Sequence, residues 1–182
     1  VYDTSNIDWN NLSSNRSYRN SEISFTGGIQ HKIDNQGFVI IDSLALLRIA
    51  GNTTITFDGN NSYLHLKSGS NVLLSTNSKI EFKNGAYLKA DNVVFNSPNN
   101  EIWEGLVFEN AGGLTEIKNC TFNNAKNPIQ ILNDSASAYA NKIIIGNTFN
   151  LPSISGIAIF AQNVFRILIQ NNTFNMTSPT NN

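Results

Sequence analysis

The chain has 182 residues and a net charge of −1, with 14% of residues charged and 40% hydrophobic. That balance is too apolar for a disordered tail, and the lack of a basic patch leaves no electrostatic footprint for nucleic acid. No run of about 18 apolar residues occurs, so no membrane span is expected, and the single cysteine, Cys120, excludes an internal disulfide framework.

Residues 1–30 form a distinct opening segment. Val1 to Asn20 is rich in Asn and Ser and carries Tyr2, Trp9 and Tyr18. It is expected to act as an N-terminal cap or arm, because an open solenoid end exposes unpaired strand edges. The chain starts at Val1 without a basic-then-apolar leader, as either a processed exported protein or a cut chain would. From residue 31 onward, apolar runs are no longer than a strand, as in Phe38-Val39-Ile40-Ile41, and apolar residues alternate in short bursts, as in Tyr63-Leu64-His65-Leu66. Period-two alternation predicts short strands. Asp58-Gly59-Asn60-Asn61, Lys67-Ser68-Gly69-Ser70 and Lys83-Asn84-Gly85 separate the bursts and predict turns. The best helical stretch, Ser43 to Ile49, is short and apolar on every side.

Ile55-Thr56-Phe57 and Ile80-Glu81-Phe82 lie 25 apart (80 − 55). Further along, Thr-Phe-Asn closes three related segments, at Phe122, Phe149 and Phe174, spaced 27 and 25. An Ile sits five places before each of these Phe residues, and a weaker copy ends at Phe95, 27 before Phe122. A unit of about 25 residues with several strands cannot bury its own apolar face, and stacking copies does so. An antiparallel sandwich would not repeat one motif at one phase, and a propeller repeats at about 40–45 residues. The expected fold is all-β: a right-handed parallel β-helix of about seven coils over residues 31–176, followed by a polar tail at 177–182. Phe95, Phe122, Phe149 and Phe174 are expected to form an inward core ladder. Asparagine, 31 of 182 residues, suits such a fold, since it tolerates left-handed turns and stacks in ladders. The tail carries no evident C-terminal cap, which fits a chain that continues beyond Asn182.

The Ile…Asn-x-Thr-Phe-Asn segments resemble the right-handed β-helix proteins of the pectin-lyase-like class. Ile102-Trp103-Glu104-Gly105-Leu106-Val107-Phe108 resembles the Trp-x-Gly coil found in large secreted or surface proteins of Bacteroidetes-like bacteria. The resemblance spans roughly residues 33–176. It implies a secreted or cell-surface location, and it admits lyases, hydrolases, adhesins and structural repeats. The lyases of the class hold calcium with clustered Asp residues beside a basic residue, and the hydrolases need paired carboxylates facing one cleft.

Here no two Asp are adjacent, and the Asp-Asp and Gly-His-Gly signatures of the hydrolases are absent. No catalytic residue, metal ligand or cofactor is assigned. Asp34 and Asp58 (24 apart), followed by Glu81 (23 further), are expected to align in one column that could bind a cation or a sugar. Trp103, flanked by Glu101, Glu104 and Glu109, could stack on a sugar ring or anchor its coil. His31 and His65 lie far apart with no Cys beside them. Cys120 falls where the other copies have Asn147 and Asn172. Thr54-Ile55-Thr56 does not recur in each coil, which argues against an ice-binding ladder. The functional expectation is a non-enzymatic structural or adhesive module, able to form homo-oligomers or end-to-end filaments. The alternatives are a polysaccharide-active enzyme or a carbohydrate-binding module on the same fold.

Overall fold

The computed structural model describes residues 16–18, 22–25, 28, 30–34, 36–134, 141–152 and 157–177. In chain order the strands are β1 (Arg16–Tyr18), β2 (Glu22–Phe25), β3 (Gln30–Ile33), β4 (Phe38–Ile41), β5 (Leu46–Ile49), β6 (Thr54–Asp58) and β7 (Tyr63–Leu66). Then come β8 (Asn71–Leu74), β9 (Lys79–Lys83), β10 (Tyr87–Asp91), β11 (Val94–Asn96), β12 (Gly105–Glu109), β13 (Thr115–Lys118) and β14 (Thr121–Asn123). The last are β15 (Ile129–Leu132), β16 (Lys142–Ile145), β17 (Thr148–Pro152), β18 (Ile159–Gln162), β19 (Ile167–Gln170) and β20 (Thr173–Thr177).

Every third strand joins the same sheet. Sheet A runs β1-β4-β7-β10-β13-β16-β19, sheet B β2-β5-β8-β11-β14-β17-β20, and sheet C β3-β6-β9-β12-β15-β18. Among the described residues the strand pairings are all parallel, as between β14 and β17, where Phe122 sits beside Phe149. The chain is therefore a parallel β-solenoid with a period near 25 residues and about six turns from β1 to β19, one fewer than the seven expected from length alone. β1 and β2 already pair with β4 and β5, so the regular ladders begin before residue 31, where the sequence reading places the boundary. Of the expected cap, residues 1–15, 19–21, 26, 27 and 29 lie outside the described residues, as do 178–182 of the expected tail, whose first residue, Thr177, ends β20. The stretch weighed as a helix, 43–49, contributes strand β5.

Alternation builds the core. In β7, Leu64 and Leu66 are buried while Tyr63 and His65 face outward. Stacking then places like residues in columns. In sheet B the column runs Ile23, Leu47, Val72, Phe95, Phe122, Phe149, Phe174. Its phenylalanine rings lie nearly parallel, with centroids 4.7 Å, 4.9 Å and 5.2 Å apart. A second ring stack, Phe57–Phe82–Phe108, rises in sheet C with spacings of 5.3 Å and 4.8 Å. Burying each ring contributes about 2–3 kcal/mol.

Corners absorb the variation in coil length. The register offset is 25 between Phe57 and Phe82 and 30 between Ile129 and Ile159. Among the described residues, 15 non-glycine residues have positive φ, and 13 of them are Asn. Asparagine is thus the corner residue of this solenoid, because its short polar side chain lowers the cost of the left-handed conformation. Gly105 has a different reason to be small. Its φ is +134°, and a Cβ there would meet the Asn127 carbonyl oxygen at 2.0 Å, so only glycine lets the next turn approach.

Candidate functional site

The outer face of sheet C holds the densest group of charges, because β3, β6 and β9 put Lys, Asp and Glu on their outward positions. Ile33 pairs with Phe57, which brings Asp34 beside Asp58. Lys32 Nζ lies 3.3 Å from Asp34 Oδ2 and 3.0 Å from Asp58 Oδ2. Asn84 Nδ2 donates to Asp58 Oδ1 at 2.8 Å. In the next turn Lys79 Nζ lies 2.6 Å from Glu81 Oε1, and Lys83 Nζ lies 3.0 Å from Glu81 Oε2 and 3.6 Å from Glu109. Thr56 Oγ1 donates to Glu81 at 3.2 Å.

These contacts fix the charge states. Burial pushes the Asp58 carboxyl up, but the Asn84 amide, Lys32 and Lys83 outweigh it and hold it below its ordinary value. Burial likewise raises Glu81, and Lys79 and Lys83 outweigh it, so it too lies low. Hydrogen bonds to Asp58 and then Asp34 hold Lys32 above its ordinary value. Each of these carboxylates thus spends its charge on lysines in its own or an adjacent coil. Among the described residues, no three His, Cys, Asp or Glu side chains converge as metal ligands would.

The expected column Asp34–Asp58–Glu81 needs correction. Asp58 pairs in register with Lys83, and Glu81 pairs with Thr56, two positions away. The sequence spacings of 24 and 23 imply a constant coil, whereas the β6-to-β9 step takes 25 residues. Trp103 also departs from a sugar-stacking role. It is wholly buried, its indole packs 6.3 Å from Phe95, and its Nε1 donates to the Asn123 carbonyl at 2.8 Å. It anchors its coil instead.

Two open clefts flank the charged face. One, of about 370 Å³, is lined by Lys32, Asp34, Gln36, Asp58, Gly59 and Asn60. The other, of about 530 Å³, is lined by Lys83, Asn84, Glu109, Asn110 and Asn133. On sheet A, Phe38, Tyr63 and Tyr87 form an outward aromatic ladder with spacings of 4.7 Å and 5.0 Å. Both faces of Tyr63 are covered by its neighbours, so this central ring offers a sugar only its edge.

One buried charged group escaped the sequence reading. Lys142 points inward at the corner between turns, fully buried, with Nζ 3.0 Å from Asp134 Oδ2, which is buried as well. Nζ also donates to the carbonyls of Ala111 and Gly113. Burial lowers Lys142 and raises Asp134. The signal was present: Lys142 is two residues before Ile144, and both occupy the inward phase of β16. Asn147 is a second buried polar group. Its Oδ1 accepts from Cys120 N at 2.8 Å, and its Nδ2 donates to Ile117 O and Asn172 Oδ1, both at 3.0 Å. Cys120 replaces Asn at that ladder position, and burial lifts its thiol to about 12, so it holds no thiolate at neutral pH.

Compared with known protein families, curated proteins and solved structures, the chain matches none. The fold alone defines its class, the parallel β-solenoids.

Proposed function

We propose that this chain is a non-enzymatic structural or adhesive module of a secreted or cell-surface bacterial protein. The observation that carries the reading is where the polar side chains spend their bonds. Asn150 donates to Asn123 and Asn175 to Asn150, at 2.7 Å and 2.9 Å. Asn110 donates to Asn84 and Asn84 to Asp58. Lys32 and Lys83 bridge carboxylates of successive turns. Polar groups committed to joining one turn to the next serve a stiff rod, whereas catalysis needs groups left free to meet substrate. The likeness of the Thr-Phe-Asn coils to the pectin-lyase-like class, and of the Trp-x-Gly coil to surface proteins of Bacteroidetes-like bacteria, supports the same location.

A second reading, a carbohydrate-binding module, is favoured by the cleft of Lys83, Asn84, Glu109, Asn110 and Asn133, whose amides could meet sugar hydroxyls. One experiment separates the readings from an enzyme. The chain and an Asp58→Ala variant are incubated with a panel of uronic-acid and neutral polysaccharides, and turnover and retention are both measured. The module reading expects no turnover in either chain. Turnover that the Asp58→Ala change abolishes would make this an enzyme, and retention lost in an Asn110→Ala variant would establish the binding module.

A further inference from the structure

Asp134, just past the end of β15, and Lys142, the first residue of β16, bring an amine and a carboxyl group together out of water. Lys142 sits in the inward column of sheet A between Thr115 and Ile167. It and Asp134 are each only 1% exposed. Nζ lies 3.0 Å from Asp134 Oδ2, yet among the described residues neither Asp134 oxygen accepts a hydrogen bond of ordinary geometry. The hydrogen bonds that Nζ does direct go to the carbonyls of Ala111 and Gly113, in the preceding turn. Two positions of the nitrogen are thus taken, which leaves the remaining one for the carboxyl group. Burial is the largest influence on both partners, lowering Lys142 and raising Asp134, so it favours the uncharged amine and the uncharged acid. An amine has its nucleophilic lone pair only when uncharged, and a carboxyl group loses water only when it carries its proton.

We propose that Lys142 and Asp134 condense after folding into an intramolecular amide that cross-links the chain at this corner. The Nζ lone pair attacks Asp134 Cγ and the N–C bond forms. One N–H proton passes to the departing hydroxyl, the C–O bond breaks, and one water leaves. The step consumes no oxidant, reductant or further reactant. Folding holds the amine against the acid, which turns a bimolecular encounter into an intramolecular one. Burial withholds the water that would reverse the reaction. The product is uncharged, so it is free of the desolvation penalty that a buried ion pair carries, and its amide N–H remains for the Ala111–Gly113 corner. The surface pairs Lys79–Glu81 and Lys118–Glu116 are as close, at 2.6 Å and 2.5 Å, but their lysines are 36% and 38% exposed. Water reaches them, so they are expected to stay unlinked. The inference stands on this corner alone and holds for an enzyme as for a structural module.

The test is mass spectrometry of the 182-residue chain, folded by circular dichroism and incubated for days, beside a sample isolated and held unfolded in urea. Lys142→Arg and Asp134→Ala variants are measured in parallel. The folded chain should be lighter than its sequence by the mass of one water, and the unfolded sample and both variants should keep their full mass. Trypsin should fail to cut the folded product after Lys142, and fragmentation of the resulting peptide, residues 127–166, should place the link between Asp134 and Lys142. A variant that does not fold leaves the wild-type comparison to decide. A folded chain of full mass would overturn the proposal and leave a plain ion pair. So would water loss with Lys142 still cut by trypsin, or equal loss in the unfolded sample, because the water would then come from another site or from a reaction that folding does not direct.

Discussion

Phe149 and Phe174 occupy the same column one turn apart, share a motif and stack on each other, yet one is sealed in the core and the other is half open to solvent. The same contrast holds between the interior turns and the last turn throughout. Ile117 and Ile144 are buried and Ile169 is exposed; Asn147 is enclosed by neighbours on both sides, and among the described residues Asn175 bonds only to the turn below it. In a solenoid, position along the axis decides what a residue is worth, because each turn is stabilised only by the turns beside it.

Substitutions in the two regions should therefore differ sharply. Phe149→Ala should cost about 3–5 kcal/mol, through lost transfer energy and a cavity between two rings. Phe174→Ala, with one face already in water, should cost less than about 1.5 kcal/mol. Urea unfolding of both variants measures the difference, and equal losses would erase the contrast. Lys142→Met should cost a comparable amount, about 3–5 kcal/mol, because it strands Asp134 as a buried unpaired carboxylate. Replacing both, as Lys142→Met with Asp134→Leu, should recover most of that loss. Asn147→Ala should cost about 1–3 kcal/mol, since it leaves the Cys120 amide without its acceptor. Asn175→Ala should stay within about 0.5 kcal/mol.

The smallest effect separates the charged first turns from the later ones. Asp58, Glu81 and Glu22 all sit below their ordinary values, Glu22 chiefly through its hydrogen bond from Arg48. A depressed folded-state pKa gives stability that is fully present above the ordinary carboxylate value and lost as pH falls through the folded one. These three carboxylates should thus make the thermal midpoint fall as the pH drops below about 4. Glu81→Gln should flatten that fall. An unchanged acid profile in the variant would show that the sheet C network adds no linked stability.

The fold was legible because three Thr-Phe-Asn copies and the 25-residue spacing report directly on column stacking. The site was less legible because side-chain columns depend on exact register, and register depends on corner lengths that vary from turn to turn. A two-residue error moved Glu81 out of its true column. Trp103 is ambiguous because its carboxylate neighbours are conspicuous in sequence, and the physical reason for the glycine of its Trp-x-Gly pattern, Gly105, shows only in its φ and the close Asn127 carbonyl. Lys142 is hard to place from sequence because charge suggests a surface, although its phase with Ile144 puts it inside.

The most direct test of stacked turns with one open end is native-state hydrogen exchange, resolved by turn, on the unmodified chain. The account predicts strong, near-uniform protection from β4 through β17 and a steep drop in β19 and β20, where amides lie beside an uncovered core. Protection in β19 and β20 equal to that of β13 and β14 would contradict it.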